Sequence, residues 1–140
     1  MTLTARYAFS ASHRLHSPLL SEAHNDEIYG KCNNPHGHGH NYWLEVTVAG
    51  EPDPESGLIV ERSKLDQLVS EEILSRVNHR NLNEQLDEID GLVPTTENLA
   101  YVLAGILKKC FASPGLSLER IRILETKNNR FETEANDLKQ

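Results

Sequence analysis

Residues 40–50, HNYWLEVTVAG, decide the fold of this 140-residue chain. Every second side chain along them is suited to one buried face, namely His40, Tyr42, Leu44, Val46 and Val48. Such period-two alternation predicts a β-strand, and the turn-forming GEPDPESG at 50–57 predicts its end. Residues 2–13, TLTARYAFSASH, alternate in the same way. The two strands are therefore predicted to pair as a long antiparallel hairpin, with residues 14–37 as an excursion at one end.

Two stretches in the middle of the chain have the spacing of amphipathic helices. Residues 63–79 open with Ser63, and Asp66 three positions later completes a capping-box pattern. Residues 94–111 begin at Pro94, with Thr95 or Thr96 at the helix start. Apolar residues recur at helical spacing in both: Leu65, Leu68, Val69, Ile73 and Val77 in the first, and Leu99, Val102, Leu103, Ile106 and Leu107 in the second.

The remaining alternating stretches, residues 117–127 and 130–135, predict two further strands. The order strand, strand, helix, helix, strand, strand predicts a single α+β domain over residues 1–140. Its architecture is a four-stranded antiparallel sheet with two helices on one face. Such a sheet leaves two open edges, and association with further copies of the same chain would cover them. The fold therefore also predicts an oligomer.

Composition excludes several classes of function. The net charge of −7 and the pI near 5.4 provide no basic surface for nucleic acid. The apolar runs are far shorter than a membrane span. The N-terminus lacks the pattern of a secretory signal, and Cys32 and Cys110 are the two cysteines. We therefore expect a protein of the reducing cytoplasm that binds neither nucleic acid nor membrane.

Residues 31–42, KCNNPHGHGHNY, predict a metal site. His38 and His40 are two positions apart at the beginning of a strand, so their side chains project to the same face. His13 lies near the end of the partner strand, opposite them. Three imidazoles around one point are typical of a zinc site with an open position. His36 has the same parity, so spacing alone also permits the pair 36/38, but strand periodicity favours 38/40.

Cys32 and His79 are the candidate reactive groups, and each has a second interpretation. Cys32 either closes the zinc site as a fourth ligand or stays off the metal as a base or nucleophile. His79, in NHRNLN at 78–83, either forms an acid–base pair with that thiol or caps the end of the first helix. Spacing alone does not separate these alternatives.

Five motifs in this order resemble the 6-pyruvoyl-tetrahydropterin synthase family, which includes the bacterial 6-carboxy-tetrahydropterin synthases. They span nearly the entire chain and read FSASHRL, CNNPHGHGHNY, NHRNL, PTTEN and LETKNN. The resemblance implies the tunnelling fold, in which three subunits close a twelve-stranded barrel and two trimers stack as a homohexamer. It implies a zinc-dependent lyase acting on 7,8-dihydroneopterin triphosphate.

Carried over position by position, the resemblance assigns a role to each candidate residue. The zinc ligands are His13, His38 and His40. Cys32 is implied to be the catalytic base, and His79 the relay or acid group contributed by a neighbouring subunit. Glu125 is implied to anchor the pterin, with helpers at Thr95, Thr96 and Glu97.

The chain departs from the family pattern at Asn78, where members commonly have an aspartate before the relay histidine. Three explanations are open. A nearby acid such as Asp87 or Glu88 takes the place of the aspartate, or the relay is less important in this chain. In the third, the chain is a non-catalytic zinc- and pterin-binding oligomer. The product is a second open point. The Cys32–His38 spacing resembles the branch that keeps the side chain as pyruvoyl, but His36 also matches the branch that makes the 6-carboxy product for deazaguanine (queuosine) synthesis.

Overall fold

A computed structural model describes residues 1–111, 114–125 and 128–138. The predicted hairpin is present as β1 (Thr2–His13) and β2 (His38–Gly50), paired antiparallel from Thr2↔Ala49 to His13↔His38. The excursion between them contains helix α1 (Glu22–Tyr29) and a short 3-10 helix (Gly30–Asn33). The apolar alternation along both strands places their buried side chains on one face of the sheet.

Among the described residues, the sheet has five strands and is mixed. Strands β4 (Leu116–Leu124) and β5 (Arg130–Glu134) extend it on the β2 side and are antiparallel, as predicted. Positions 126 and 127 of the predicted strand 117–127 lie outside the described residues. A two-residue strand, β3 (Arg80–Asn81), pairs parallel to β1, so the spatial order is β3-β1-β2-β4-β5. The prediction of four purely antiparallel strands is corrected here, since two residues are too few to show any alternation.

The first predicted helix begins two residues earlier than its capping pattern indicated. Helix α2 (Arg62–Val69) continues through a π-helical turn (Ser70–Leu74) into α3 (Ser75–Val77). Its N-cap is Glu61, so Ser63 lies inside the first turn and the predicted capping box is wrong. The Asp66 carboxylate instead accepts hydrogen bonds from the Tyr7 hydroxyl (2.7 Å) and Arg62 Nε (3.0 Å).

The second predicted helix is α5 (Thr96–Cys110), which is capped by Thr95 as the sequence indicated. The Thr95 hydroxyl accepts a hydrogen bond from the backbone N–H of Asn98 (3.2 Å). Between the two long helices lie α4 (Leu82–Gln85) and a 3-10 turn (Asp87–Ile89), which have no periodicity signal. A last 3-10 turn (Ala135–Asp137) follows β5.

The two faces of the sheet differ in character. The helices cover one face, and the fully buried side chains there include Leu44, Val46, Leu103, Leu107, Ile121 and Ile123. The other face carries an alternating row of charges that pair across the strands, formed by Arg6, Glu45, Arg122 and Glu132. Within the described ranges, no helix has the length and apolar character needed to cross a membrane.

A methyl group added at Gly50 is expected to destabilise the fold. An alanine Cβ there would lie 2.6 Å from the Gly115 carbonyl oxygen, a backbone atom that cannot swing away. We expect Gly50→Ala to lower the free energy of unfolding by about 1–3 kcal/mol in urea titrations. Gly105→Ala is the matched control, because this position inside α5 has open space around it. It should raise that free energy by about 0.5–1 kcal/mol. If the free energy of unfolding changes equally in Gly50→Ala and Gly105→Ala, the close contact between Gly50 and Gly115 does not limit the side chain at position 50.

Candidate metal and catalytic site

His13, the last residue of β1, presents a buried and unpartnered ring nitrogen. The side chain is 1% exposed, and its Nδ1 lies 2.9 Å from the Pro94 carbonyl oxygen just before α5. A carbonyl only accepts, so Nδ1 carries the proton and Nε2 keeps its lone pair. Among the described residues Nε2 has no hydrogen-bond partner. Burial lowers the pKa of His13 to about 4, so the ring stays neutral. These are the properties of a metal-ligating imidazole held by a backbone carbonyl.

Two further donors lie beside His13. The His40 ring contacts the His13 ring with a centroid distance of 4.9 Å, and Cys32 Sγ lies 3.8 Å from His40 Nε2. His13, Cys32 and His40 each offer one ligand atom, and these three atoms lie within 4.8 Å of one another. His38 is exposed and packs on the outer side of His40, with a ring-centroid distance of 4.6 Å. The three predicted histidines thus lie in one row, in the order His13, His40, His38. The three ligand atoms that lie closest together belong to His13, His40 and Cys32.

The excursion that carries Cys32 is organised around Asn25, which sequence reasoning missed. Asn25 is fully buried, and its Oδ1 accepts from the backbone N–H of Ser17 (2.7 Å). Its Nδ2 donates to the carbonyls of Ser17, Leu20 and Ser21. The Cys32 carbonyl in turn accepts from the N–H of Leu15 (2.7 Å), which ties the thiol to the end of β1. A polar residue in a short helix has no periodicity that would indicate burial.

Gly37 and Gly39 flank His38 but differ in what they contribute. Gly37 has φ +83°, a backbone conformation that favours glycine, whereas a Cβ there would make only an ordinary contact with the His13 carbonyl oxygen at 3.4 Å. At Gly39 an added Cβ would meet nothing within 4 Å. The turn into β2 therefore depends on the first glycine and not on the second.

Glu125 closes the site from the β4 side. It follows Leu124, the pairing partner of Trp43, and thus lies opposite Tyr42. Its Oε1 is 3.4 Å from His40 Nε2, and its Oε2 accepts a hydrogen bond from the Thr96 hydroxyl (3.2 Å). Burial raises the pKa of the Cys32 thiol, and the nearby Glu125 charge raises it further. The isolated chain therefore keeps this thiol protonated.

The three predicted helper residues at the start of α5 have different surroundings. Thr96 is buried and contacts Glu125, whereas the neighbouring Thr95 hydroxyl is engaged in capping the helix. Glu97 is exposed in the first helical turn. Of the three, Thr96 is the one whose hydroxyl reaches the site within this chain.

The predicted relay histidine lies outside the metal group. His79 is exposed, has φ +58°, and lines a groove of about 480 Å³ together with Ser10, Asn41 and His40. Within one chain the structure does not bring His79 into the group formed by His13, Cys32 and His40.

Asn78 has a structural role that its motif does not indicate. Its Oδ1 accepts a hydrogen bond from the backbone N–H of Ser10 (3.0 Å), while the N–H of His79 donates to the Ser10 carbonyl (2.6 Å). The two residues thereby clamp the end of α3 to β1. Of the two acids considered as replacements for the usual aspartate, Glu88 forms an ion pair with Arg76.

Comparisons with known proteins identify the family of this chain. A family model described as 6-pyruvoyl tetrahydropterin synthase matches residues 2–136. The chain belongs to this family. Its relatives include the 6-pyruvoyl tetrahydrobiopterin synthase of Drosophila melanogaster, 42% identical over 127 residues, which are 91% of this chain and 75% of that protein. The Homo sapiens protein of the same name is 41% identical over 127 residues, covering 91% and 86% respectively.

The fold of this family member also matches a solved structure. The Caenorhabditis elegans 6-pyruvoyl tetrahydropterin synthase superposes with a TM-score of 0.87 at 41% sequence identity. The match covers 96% of this chain and 94% of that one. The mixed sheet and its helices are therefore those of the family.

Replacing Asn78 tests whether it serves the backbone clamp. We expect Asn78→Ala to lower the free energy of unfolding by about 1 kcal/mol, because the N–H of Ser10 loses its acceptor. Asn78→Asp restores an oxygen at that position and should stay within about 0.5 kcal/mol of the wild type in the same urea titration. If the aspartate variant loses as much stability as the alanine variant, the oxygen is not the part of Asn78 that the fold uses.

Proposed function

We propose that the chain is a zinc-dependent lyase that converts 7,8-dihydroneopterin triphosphate to 6-pyruvoyl-tetrahydropterin with loss of triphosphate. The observation that carries this proposal is the unpartnered, buried Nε2 of His13 next to a second imidazole, a thiol and a carboxylate. The family model and the relatives at 41–42% identity bear the pyruvoyl name, which supports this product over the 6-carboxy alternative.

The donor set fits zinc. Two or three neutral imidazoles, with or without a thiolate, are ligands that zinc prefers, and the proton on His13 Nδ1 leaves Nε2 free to bind. We take His13, His38 and His40 as the ligands, with Cys32 beside them. The alternative set, His13, Cys32 and His40, is favoured by the short distances between those three groups. When bound, zinc supplies a Lewis acid that acidifies the C–H next to the side-chain oxygens of the substrate.

Glu125 is proposed to hold the pterin ring. A carboxylate can accept two parallel hydrogen bonds from the 2-amino group and the adjacent ring N–H, as it does from a guanidinium. The Thr96 hydroxyl donates to Oε2 and so orients the carboxylate without adding charge. Thr95 and Glu97 complete this end of the pocket in the proposal, Thr95 by fixing the start of α5.

Cys32 and His79 are proposed as the proton-transfer groups. With a zinc ion bound beside it, the Cys32 thiol would ionise, and the thiolate would take the proton from the acidified C–H. Triphosphate would leave with the electron pair of its C–O bond. His79 acts as the relay from a neighbouring subunit, because within one chain it lies outside the group formed by His13, Cys32 and His40. The open edges at β3 and β5 and the uncovered charged face support a homohexamer whose sheets close into barrels. We place the protein in the cytoplasm.

Product identity tests the function. Purified, zinc-loaded protein incubated with 7,8-dihydroneopterin triphosphate should give 6-pyruvoyl-tetrahydropterin by mass spectrometry. Cys32→Ala should lower turnover at least 100-fold while zinc content stays unchanged, because general-base catalysis contributes about 10²–10⁴. A 6-carboxy product with acetaldehyde would establish the alternative enzyme. Pterin binding without triphosphate release would establish a non-catalytic binding protein.

Thiol reactivity separates the two ligand sets. In a Cys110→Ser background, Cys32 is the one remaining thiol. With His13, His38 and His40 as ligands, Cys32 in the zinc-loaded protein should react with a thiol reagent, and His38→Ala should lose zinc. A thiol that reacts after zinc removal but is shielded in the loaded protein, with zinc retained by His38→Ala, would make Cys32 a ligand.

A further inference from the structure

Tyr42 carries a buried hydroxyl for which the described residues provide no partner. The side chain is 1% exposed, and among the described residues its hydroxyl oxygen has no hydrogen-bond partner. Burying an unpaired phenol is unfavourable, and phenylalanine would fill the same space without that cost. Packing in the ligand-free chain therefore does not explain why this position carries a hydroxyl group.

The ring of Tyr42 is held rigidly against the site. It lies two residues after His40 on β2, on the same face, with a ring-centroid distance of 5.7 Å between the two. On its other side it stacks on Phe9, with centroids 4.8 Å apart and planes 14° from parallel. Glu125 directly follows Leu124, the last residue of β4, which pairs with Trp43, the neighbour of Tyr42. The Tyr42 ring is thus positioned by two neighbouring rings and by strand pairing.

The Tyr42 phenol is neutral at neutral pH, as an ordinary tyrosine is, and its O–H can donate a hydrogen bond. Among the described residues this hydroxyl has no hydrogen-bond partner, so it is available to donate to a ligand.

Tyr7 shows how the same fold treats a tyrosine that serves packing. It lies on β1 opposite Leu44 and faces the same side of the sheet as Tyr42. Its hydroxyl donates to Asp66 over 2.7 Å. The Tyr7 hydroxyl, away from the site, thus has a hydrogen-bond acceptor in the protein. The Tyr42 hydroxyl, beside Glu125, has no hydrogen-bond partner among the described residues.

We propose that the Tyr42 hydroxyl donates a hydrogen bond to an acceptor atom of the bound pterin ring. This inference rests on the proposed function. A pterin presents donors, its 2-amino group and ring N–H, next to acceptors, its carbonyl oxygen and ring nitrogens. Glu125 accepts from the donors, so a neutral donor next to that carboxylate complements the remaining edge of the ring. Tyr42 thereby becomes a substrate-contacting residue that selects a ring with adjacent donor and acceptor groups.

Two matched phenylalanine variants test the proposal, with neopterin as the probe. Zinc-loaded wild type, Tyr42→Phe and Tyr7→Phe are compared by fluorescence titration with neopterin and by thermal unfolding without it. Tyr42→Phe should bind neopterin about tenfold more weakly, while its melting temperature stays equal to or above that of the wild type. Tyr7→Phe should show the reverse pattern, with a lower melting temperature and unchanged affinity, because its hydroxyl has a partner in the protein.

Each other outcome overturns the proposal. Wild-type affinity in Tyr42→Phe would show that the hydroxyl makes no contact with the ring. A lowered melting temperature in Tyr42→Phe would show that the hydroxyl has a structural partner. If the folded, zinc-loaded wild type does not bind neopterin, the proposed function and this inference are both overturned. This outcome is distinguishable because it is seen in the wild type, before any substitution is made.

Discussion

The register between β1 and β2 is the constraint on which the site depends. His13 pairs with His38, and Ala11 pairs with His40, so residues at these positions share the helix-covered face. Because side chains alternate along a strand, a slip of one residue would move His13 to the charged face. The long hairpin prevents such a slip by burying the apolar members of the same alternation. The stability of the core and the geometry of the donor group are thus consequences of one pairing.

Much of the fold was predictable because it follows periodic patterns. Both long strands, the two later strands and helix α5 with its Thr95 cap follow their patterns closely. Helix α1, helix α4 and the two-residue strand β3 are too short to show a recognisable periodicity of apolar residues. The capping box at Ser63 was wrong because an isolated four-residue signature does not determine which turn of the helix it occupies. A short capping motif was thus a less reliable guide to the structure than the periodic spacing of apolar residues.

The site was predictable to the extent that its residues lie on regular strands. His13, His40 and Glu125 converge because strand pairing places them, and Thr96 follows from a predicted helix start. The position of Cys32 depends on the buried Asn25 network within an irregular excursion, which no spacing rule describes. For the same reason the exposed position of His38 and the clamp made by Asn78 emerged only from the folded chain.

The charged face of the sheet has a consequence for the behaviour of a single chain in water. Arg6, Glu45, Arg122 and Glu132 neutralise one another along a row that crosses four strands. This face therefore presents paired charges to the solvent instead of a large apolar surface, which disfavours nonspecific association through it. Unpaired backbone groups are confined to the two edge strands, β3 and β5, where a further strand could add.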